Sequence, residues 1–143
     1  MKNLKMILFA GLFLVGLSAV SASAQDSMMS DKMMMKSNPK NPTVAIIRAD
    51  WCSACKEVEP IVNGLMQSYE GKLNLVVLDV SNDESTAKAA ATAKSLGLTS
   101  FFEANKKSTS TVGVFKNKKQ IFKTTHNPNR DVYVAAFEKA TRS

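Results

Sequence analysis

Cysteine and histidine are scarce in this chain: its 143 residues hold two cysteines, Cys52 and Cys55, and one histidine, His126. A closed structural zinc site needs four ligands, so these three cannot make one without a carboxylate or water. Long apolar runs are also scarce, and after about Val20 no stretch is apolar for long enough to span a bilayer. No internal repeat and no second domain stand out, so the length implies one domain. Nor does any recognisable nucleic-acid module accompany the formal charge of +7. Lys106, Lys107, Lys116, Lys118, Lys119 and Lys123 crowd the C-terminal half, and they read as a solvated face rather than a nucleic-acid site.

The N-terminus is of a different kind. Lys2 and Lys5 precede an apolar stretch from Met6 to about Val20, and Ala22-Ser23-Ala24 supplies the small-x-small pattern of a secretory signal. Residues 1–24 are therefore expected to be a signal peptide cleaved after Ala24, leaving no stable membrane insertion. An uncleaved anchor is the competing reading, although the stretch is short for one, and no cysteine follows it to take a lipid. Cleavage would remove two lysines and no acid, taking the formal charge from +7 to +5. Residues 25–42 are polar and methionine-rich, with Pro39 and Pro42, and are expected to be a flexible leader. Met28, Met29, Met33, Met34 and Met35 carry soft thioether sulfurs that suit Cu(I), so a copper-collecting arm competes with plain low-complexity sequence.

The chemistry is expected in Trp51-Cys52-Ser53-Ala54-Cys55-Lys56. If a helix opens near Cys52, a spacing of three residues puts the two sulfurs one turn apart, close enough to form a Cys52–Cys55 disulfide. The unpaired N–H groups and positive dipole end of that helix favour a thiolate at Cys52, which makes it the nucleophile. Cys55, deeper in the helix, then serves as the resolving thiol. A structural staple gains its stability by closing a long loop, and this loop is nearly the shortest there can be, so the redox reading is preferred.

Around that motif the pattern alternates between strand and helix. Val44 to Ile47 reads as a buried strand, and Arg48-Ala49-Asp50 as a turn. Val58, Ile61, Val62, Leu65, Met66 and Tyr69 make an apolar helical stripe that should kink at Pro60, continue past it and end at Gly71. Leu73 to Val80 reads as a central strand, completing a right-handed β-α-β unit. A Ser81/Glu84 capping box should open a helix over Thr86 to Leu96, stopped by Gly97. Ser100 and Glu103 repeat that signature for a short helix that carries Phe101 and Phe102 inward and ends near Lys106. Thr111–Phe115 and Gln120–Thr124 read as a hairpin around Lys116-Asn117-Lys118-Lys119. Asn129 is the expected N-cap of a last helix with Tyr133, Ala136, Phe137 and Ala140 on its inner face.

This β-α-β-α-(α)-β-β-α order resembles the thioredoxin superfamily, with Trp-Cys-x-x-Cys-Lys at the first strand-helix junction and Pro60 five residues after the second cysteine. The resemblance covers about Thr43 to Ala140. It implies a thioredoxin-like three-layer α/β sandwich over residues 43–143, with a four-stranded mixed sheet flanked by helices. Carried over, it makes Cys52 the nucleophile and Cys55 the resolving thiol, lays the Trp51 ring beside the disulfide, and has Lys56 add positive potential near the thiolate.

The departures bear on the same site. Ile46 stands six residues before Cys52, where the family usually keeps a buried acid that accepts a proton from the resolving thiol. Ser53-Ala54 replaces the usual Gly-Pro between the cysteines. Ser110 followed by Thr111 replaces the cis-proline and threonine whose backbone pairs with substrate. A non-proline cis bond costs about 2.5–4 kcal/mol, so a trans bond and a reshaped groove are expected. His126 stands where the family has a glycine near the cysteines, either as a solvent-facing loop residue or as a group that stabilises the Cys52 thiolate.

These residues imply an exported, periplasmic or extracellular thiol-disulfide oxidoreductase, a monomer needing no cofactor, with protein thiols or disulfides as substrates and a membrane-linked redox partner. Two other readings compete. One is a copper-binding protein that passes Cu(I) from the leader to a Cys52, Cys55 and His126 site. The other is a binding module whose disulfide is only structural.

Overall fold

The structure, a computed structural model, describes residues 38–142. The segment expected to be a signal peptide, 1–24, and most of the leader, 25–42, lie outside the described residues. Strands β1 (Thr43–Arg48), β2 (Asn74–Asp79) and β3 (Thr111–Lys116) form where apolar residues run together, and the more polar β4 (Lys119–Thr125) pairs with β3 across the hairpin. They hydrogen-bond in the order β2-β1-β3-β4. β1 is parallel to β2 and antiparallel to β3, and β3 is antiparallel to β4, so the sheet is four-stranded and mixed. The helices are α1 (Ser53–Ser68), α2 (Asp83–Ser95), α3 (Thr99–Asn105) and α4 (Arg130–Thr141).

Alternation along the central strands sends side chains into two cores. Val44 and Ile46 of β1, with Val112 and Val114 of β3, pack against Val58, Val62, Leu65 and Met66 of α1 and Tyr133, Ala136 and Phe137 of α4. Ala45 and Ile47 of β1 face the other way, onto Ala89 and Ala93 of α2 and Leu98, Phe101 and Phe102 around α3. Helices thus cover both faces of the sheet, which is the three-layer sandwich. Burying each large apolar side chain contributes about 1.5–3 kcal/mol. Both cores meet at β1, so the end of that strand is held from two sides.

Helix α1 runs through Pro60 to Ser68, with Val58, Val62, Leu65 and Met66 buried as the stripe requires. Proline removes one backbone donor, and here Pro60 and Lys56, whose carbonyl is left without its partner, are both exposed, so water can satisfy the oxygen. Gly71 and Gly97 take φ of +74° and +72° just beyond α1 and α2, a conformation that glycine adopts without strain.

Several expectations are corrected. The α2 cap is not Ser81/Glu84 but Asn82, whose side chain accepts from Ser85 N–H while the Ser85 hydroxyl accepts from Asn82 N–H. Asparagine is among the best N-caps, and starting at Asp83 puts Asp83 and Glu84 in the first turn, where the helix dipole favours acids. The Ser81 hydroxyl instead accepts from Asp50 N–H at 2.8 Å. Helix α3 has no side-chain cap, because it begins at Thr99, one residue before Ser100, and is anchored by buried Leu98, Phe101 and Phe102. The hairpin turn is tighter than the four residues expected: only Asn117 and Lys118 lie outside the strands, with φ of +52° and +62°. Two successive left-handed residues match the twist of the flanking strands. Asn38 N–H donates to Asn74 Oδ1, and Asn74 Nδ2 donates to the carbonyls of Asn38 and Asn41.

Candidate active site

The backbone builds the site where β1 ends. Val80 N–H donates to Arg48 carbonyl at 2.9 Å and Cys52 N–H to Ala49 carbonyl at 3.1 Å, so the chain turns tightly off the strand into α1. Cys52 is the N-cap of α1, and its sulfur accepts from Cys55 N–H at 3.1 Å. Cys52 and Cys55 are joined as a disulfide, with Cα atoms 5.3 Å apart. The first turn of α1 carries no acidic residue to offset its positive end, so an anion on the Cys52 sulfur meets unopposed N–H dipoles. Ala49 is buried against both sulfur-bearing residues, and Ala54 and Val80 pack on the same cluster. Cys52 is 5 % exposed and Cys55 1 %, which gives the N-terminal cysteine the greater access.

The other expected site residues divide into two groups. Ser110 belongs at the sulfurs: it is fully buried, and its hydroxyl donates to Ala54 carbonyl at 3.3 Å. Its φ is +60°, far from the value near −65° that a proline ring imposes, and its N–H donates to Ile47 carbonyl at 2.7 Å. His126 has an exposed side chain and φ of +52°, and its N–H donates to Ser110 carbonyl at 3.1 Å. Trp51 is 67 % exposed, and its indole N–H donates to Ser81 carbonyl at 3.2 Å. Ser53, Lys56 and Pro60 are exposed on α1. Thr111 is turned into the sheet, its hydroxyl bonded to Ser108 carbonyl and paired with the Thr125 hydroxyl. Among the described residues no group of three or more His, Cys, Asp or Glu side chains is placed to hold a metal ion, so Cys52, Cys55 and His126 do not converge as a ligand set.

Beside the cysteines lies a charged cluster that the sequence reading did not single out. Arg48, the last residue of β1, donates to Glu59 Oε1 on α1 at 3.1 Å, to Asp50 Oδ1 at 2.6 Å and to Asp79 Oδ2 at the end of β2. Burial alone would lower the Arg48 pKa, but hydrogen bonds and charge from Asp50, Glu59 and Asp79 outweigh it and hold it above its ordinary value. Burial likewise pushes Asp79 up, while hydrogen bonds from Ser81 and the Arg48 charge bring it below the usual carboxylate range. The one local signal was a lone arginine at the end of an apolar strand; its pairing with Glu59 and Asp79 comes only from the packing of α1 and β2 beside β1.

An N-capping cysteine disulfide-bonded across the first turn of a helix, at the end of a central strand of a three-layer sandwich, defines a redox-type dithiol/disulfide protein. The chain belongs to the thioredoxin family: the family model "Thioredoxin" matches residues 25–127. Among curated relatives, the rice "Thioredoxin-like protein HCF164, chloroplastic" is 32% identical over 74 residues, which is 52% of this chain and 25% of that one. The Staphylococcus saprophyticus "Thioredoxin" is 44% identical over 39 residues, 27% of this chain and 38% of that one. The chain thus spans well under half of the length of these relatives. Among solved structures, Arabidopsis thaliana thioredoxin O2 in the oxidised state superposes with a TM-score of 0.53 at 14% identity, covering 81% of this chain and 89% of that one. Fasciola hepatica thioredoxin gives 0.51 at 15% identity, covering 80% and 89%. At these identities the superpositions establish the fold.

Proposed function

We propose that this protein is an exported thiol-disulfide oxidoreductase that exchanges its Cys52–Cys55 disulfide with protein thiols and disulfides. The observation that carries the reading is the position of Cys52 as N-cap of α1, bonded across one turn to the more deeply buried Cys55. In the reductive direction, the Cys52 thiolate attacks a substrate disulfide R–S–S–R′ and forms Cys52–S–S–R, expelling R′–S⁻. Cys55, once deprotonated, attacks the Cys52 sulfur, forms the internal disulfide and releases R–S⁻. Both leaving thiolates take up protons; the protein dithiol loses two electrons and the substrate disulfide gains them. The same steps reversed oxidise a substrate dithiol.

The apolar stretch from Met6 to Val20 and Ala22-Ser23-Ala24 support export to a periplasmic or extracellular compartment. There a membrane-linked partner would recycle the pair, and the protein would work as a monomer. Exposed Trp51 beside Cys52 offers an apolar surface for a substrate peptide.

Titrating the pair against glutathione or dithiothreitol, with Trp51 fluorescence as readout, tests the reading. Reversible cycling is expected, with a potential near about −270 mV for a reductant or about −120 mV for an oxidant. A pair that does not cycle, or cycles only once Cu(I) is stripped away, would sink the oxidoreductase reading.

A further inference from the structure

Cys55 must lose a proton before it can attack, because the thiolate and not the thiol is the nucleophile. Yet it is 1 % exposed, and the apolar residues packed around it, Ala49, Ala54 and Val80, have no side chain that accepts a proton. Ile46, on the same face of β1, is buried against Val58 and Val62 and offers no acceptor either. We infer that Glu59, held in place by Arg48, is the group that takes the proton of Cys55. This rests on the redox reading above.

Glu59 lies four residues beyond Cys55, so the two occupy one face of α1, neighbours across a single turn. Helical side chains lean toward the N-terminus, which for Glu59 is the direction of the turn that carries Cys55. Glu59 is only 26 % exposed, and Arg48 Nε fixes its Oε1 at 3.1 Å. That leaves Oε2 without a protein partner among the described hydrogen bonds, free to receive a proton directly or through one water.

Other groups near the pair are less suited. Asp79 is bound by Arg48 and by the N–H of Ser81, and Asp50 is bound by Arg48 and points to solvent at 75 % exposure. Glu57 and Lys56 are exposed on other faces of α1. On the β3 side the Ser110 hydroxyl is already committed to Ala54 carbonyl, and the His126 side chain is exposed. In the step, the Cys55 S–H proton passes to the Glu59 carboxylate, and the thiolate attacks the Cys52 sulfur. The Cys52–substrate S–S bond breaks as the internal one forms, and Glu59 returns its proton to solvent or to the departing thiolate. Arg48 is the positioning residue, tying Glu59 on α1 to the ends of β1 and β2.

The test is a stopped-flow reaction of the reduced full chain with an aromatic disulfide that releases a coloured thiolate at each step. The first release reports attack by Cys52, the second attack by Cys55. Glu59→Gln keeps an oxygen for Arg48 Nε, and its second phase should slow relative to its own first phase on the order of 10²-fold near neutral pH and recover at alkaline pH. Glu59→Asp, which keeps the carboxylate, should restore part of the rate and of the pH profile, which a purely structural role would not do. A second phase in Glu59→Gln that keeps the wild-type rate and pH profile overturns the inference and leaves the oxidoreductase reading standing. A wild-type chain with no second phase overturns both.

Discussion

The N–H of His126 donates to the carbonyl of Ser110, and both residues hold left-handed backbone, with φ of +52° and +60°. This contact joins the start of β3 to the loop after β4, directly behind the Ala54 carbonyl of the redox helix. A left-handed non-glycine residue costs about 1 kcal/mol or more, and here it is offset by three hydrogen bonds through Ser110: to Ile47, to Ala54 and from His126.

Ser110→Pro should therefore destabilise the protein by about 3 kcal/mol or more, since the ring forbids φ of +60° and removes the N–H given to Ile47. Ser110→Gly should change stability by less than about 1 kcal/mol, relief of backbone strain balancing the lost bond to Ala54. Urea unfolding of the two variants checks this, and equal losses would contradict it.

Gly113 sits in β3 where an added Cβ would lie 2.7 Å from Phe101 and 2.9 Å from Phe115 ring carbons. Those rings pack edge to face with centroids 5.2 Å apart, in the core on the α2/α3 side of the sheet. Gly113→Ala should destabilise by about 1–3 kcal/mol through overpacking. Its redox potential should stay at the wild-type value, because the strain lies away from the sulfurs. Denaturation and thiol titration of one sample check both halves.

Much of this architecture was legible in the sequence because it rests on local periodicity. The α1 stripe, the alternation along β1 and the inner face of α4 each repeat at the spacing of their element, and each is buried. The spacing of three residues indicated that the two sulfurs could meet across one helical turn, and Cys52 caps that helix. The Ser81/Glu84 signature misled because Ser81 was needed elsewhere, by the Asp50 N–H, while Asn82 offered the better cap. The Arg48 cluster was not legible: its partners Glu59 and Asp79 lie 11 and 31 residues away, and only the packing of α1 and β2 beside β1 brings them together. Nor does serine announce a left-handed backbone, since the conformation at Ser110 is imposed by bonds to three distant segments.

Asp79 should mark the acid limb of stability. Its folded pKa lies below its unfolded value of 3.8, so its contribution is present above that value and is lost as pH falls through the folded pKa. The unfolding midpoint should decline below about pH 4. Glu84, held low by Lys88 on the exposed side of α2, adds to the same limb, so the comparison with Asp79→Asn isolates the Arg48 cluster. That variant should be less stable at neutral pH and show a shallower acid decline; an unchanged slope would mean that the ion pair contributes nothing.

The two cysteines should fail in different ways when replaced singly. Cys52→Ser keeps a good N-cap, so α1 should form, while losing the disulfide should cost about 2 kcal/mol, as expected for so short a loop at a separation of 3 residues. It should form no adduct with a disulfide substrate, and turnover should fall to the uncatalysed level. Cys55→Ser keeps the more accessible sulfur, at 5 % exposure against 1 %, but has no thiol to resolve what that sulfur captures. It should therefore accumulate a covalent mixed disulfide that survives denaturation and is released by dithiothreitol. Intact-mass spectrometry of both variants after exposure to a disulfide-bonded protein distinguishes them. An adduct on Cys52→Ser and none on Cys55→Ser would reverse the roles, and would mean that burial does not decide which sulfur meets the substrate.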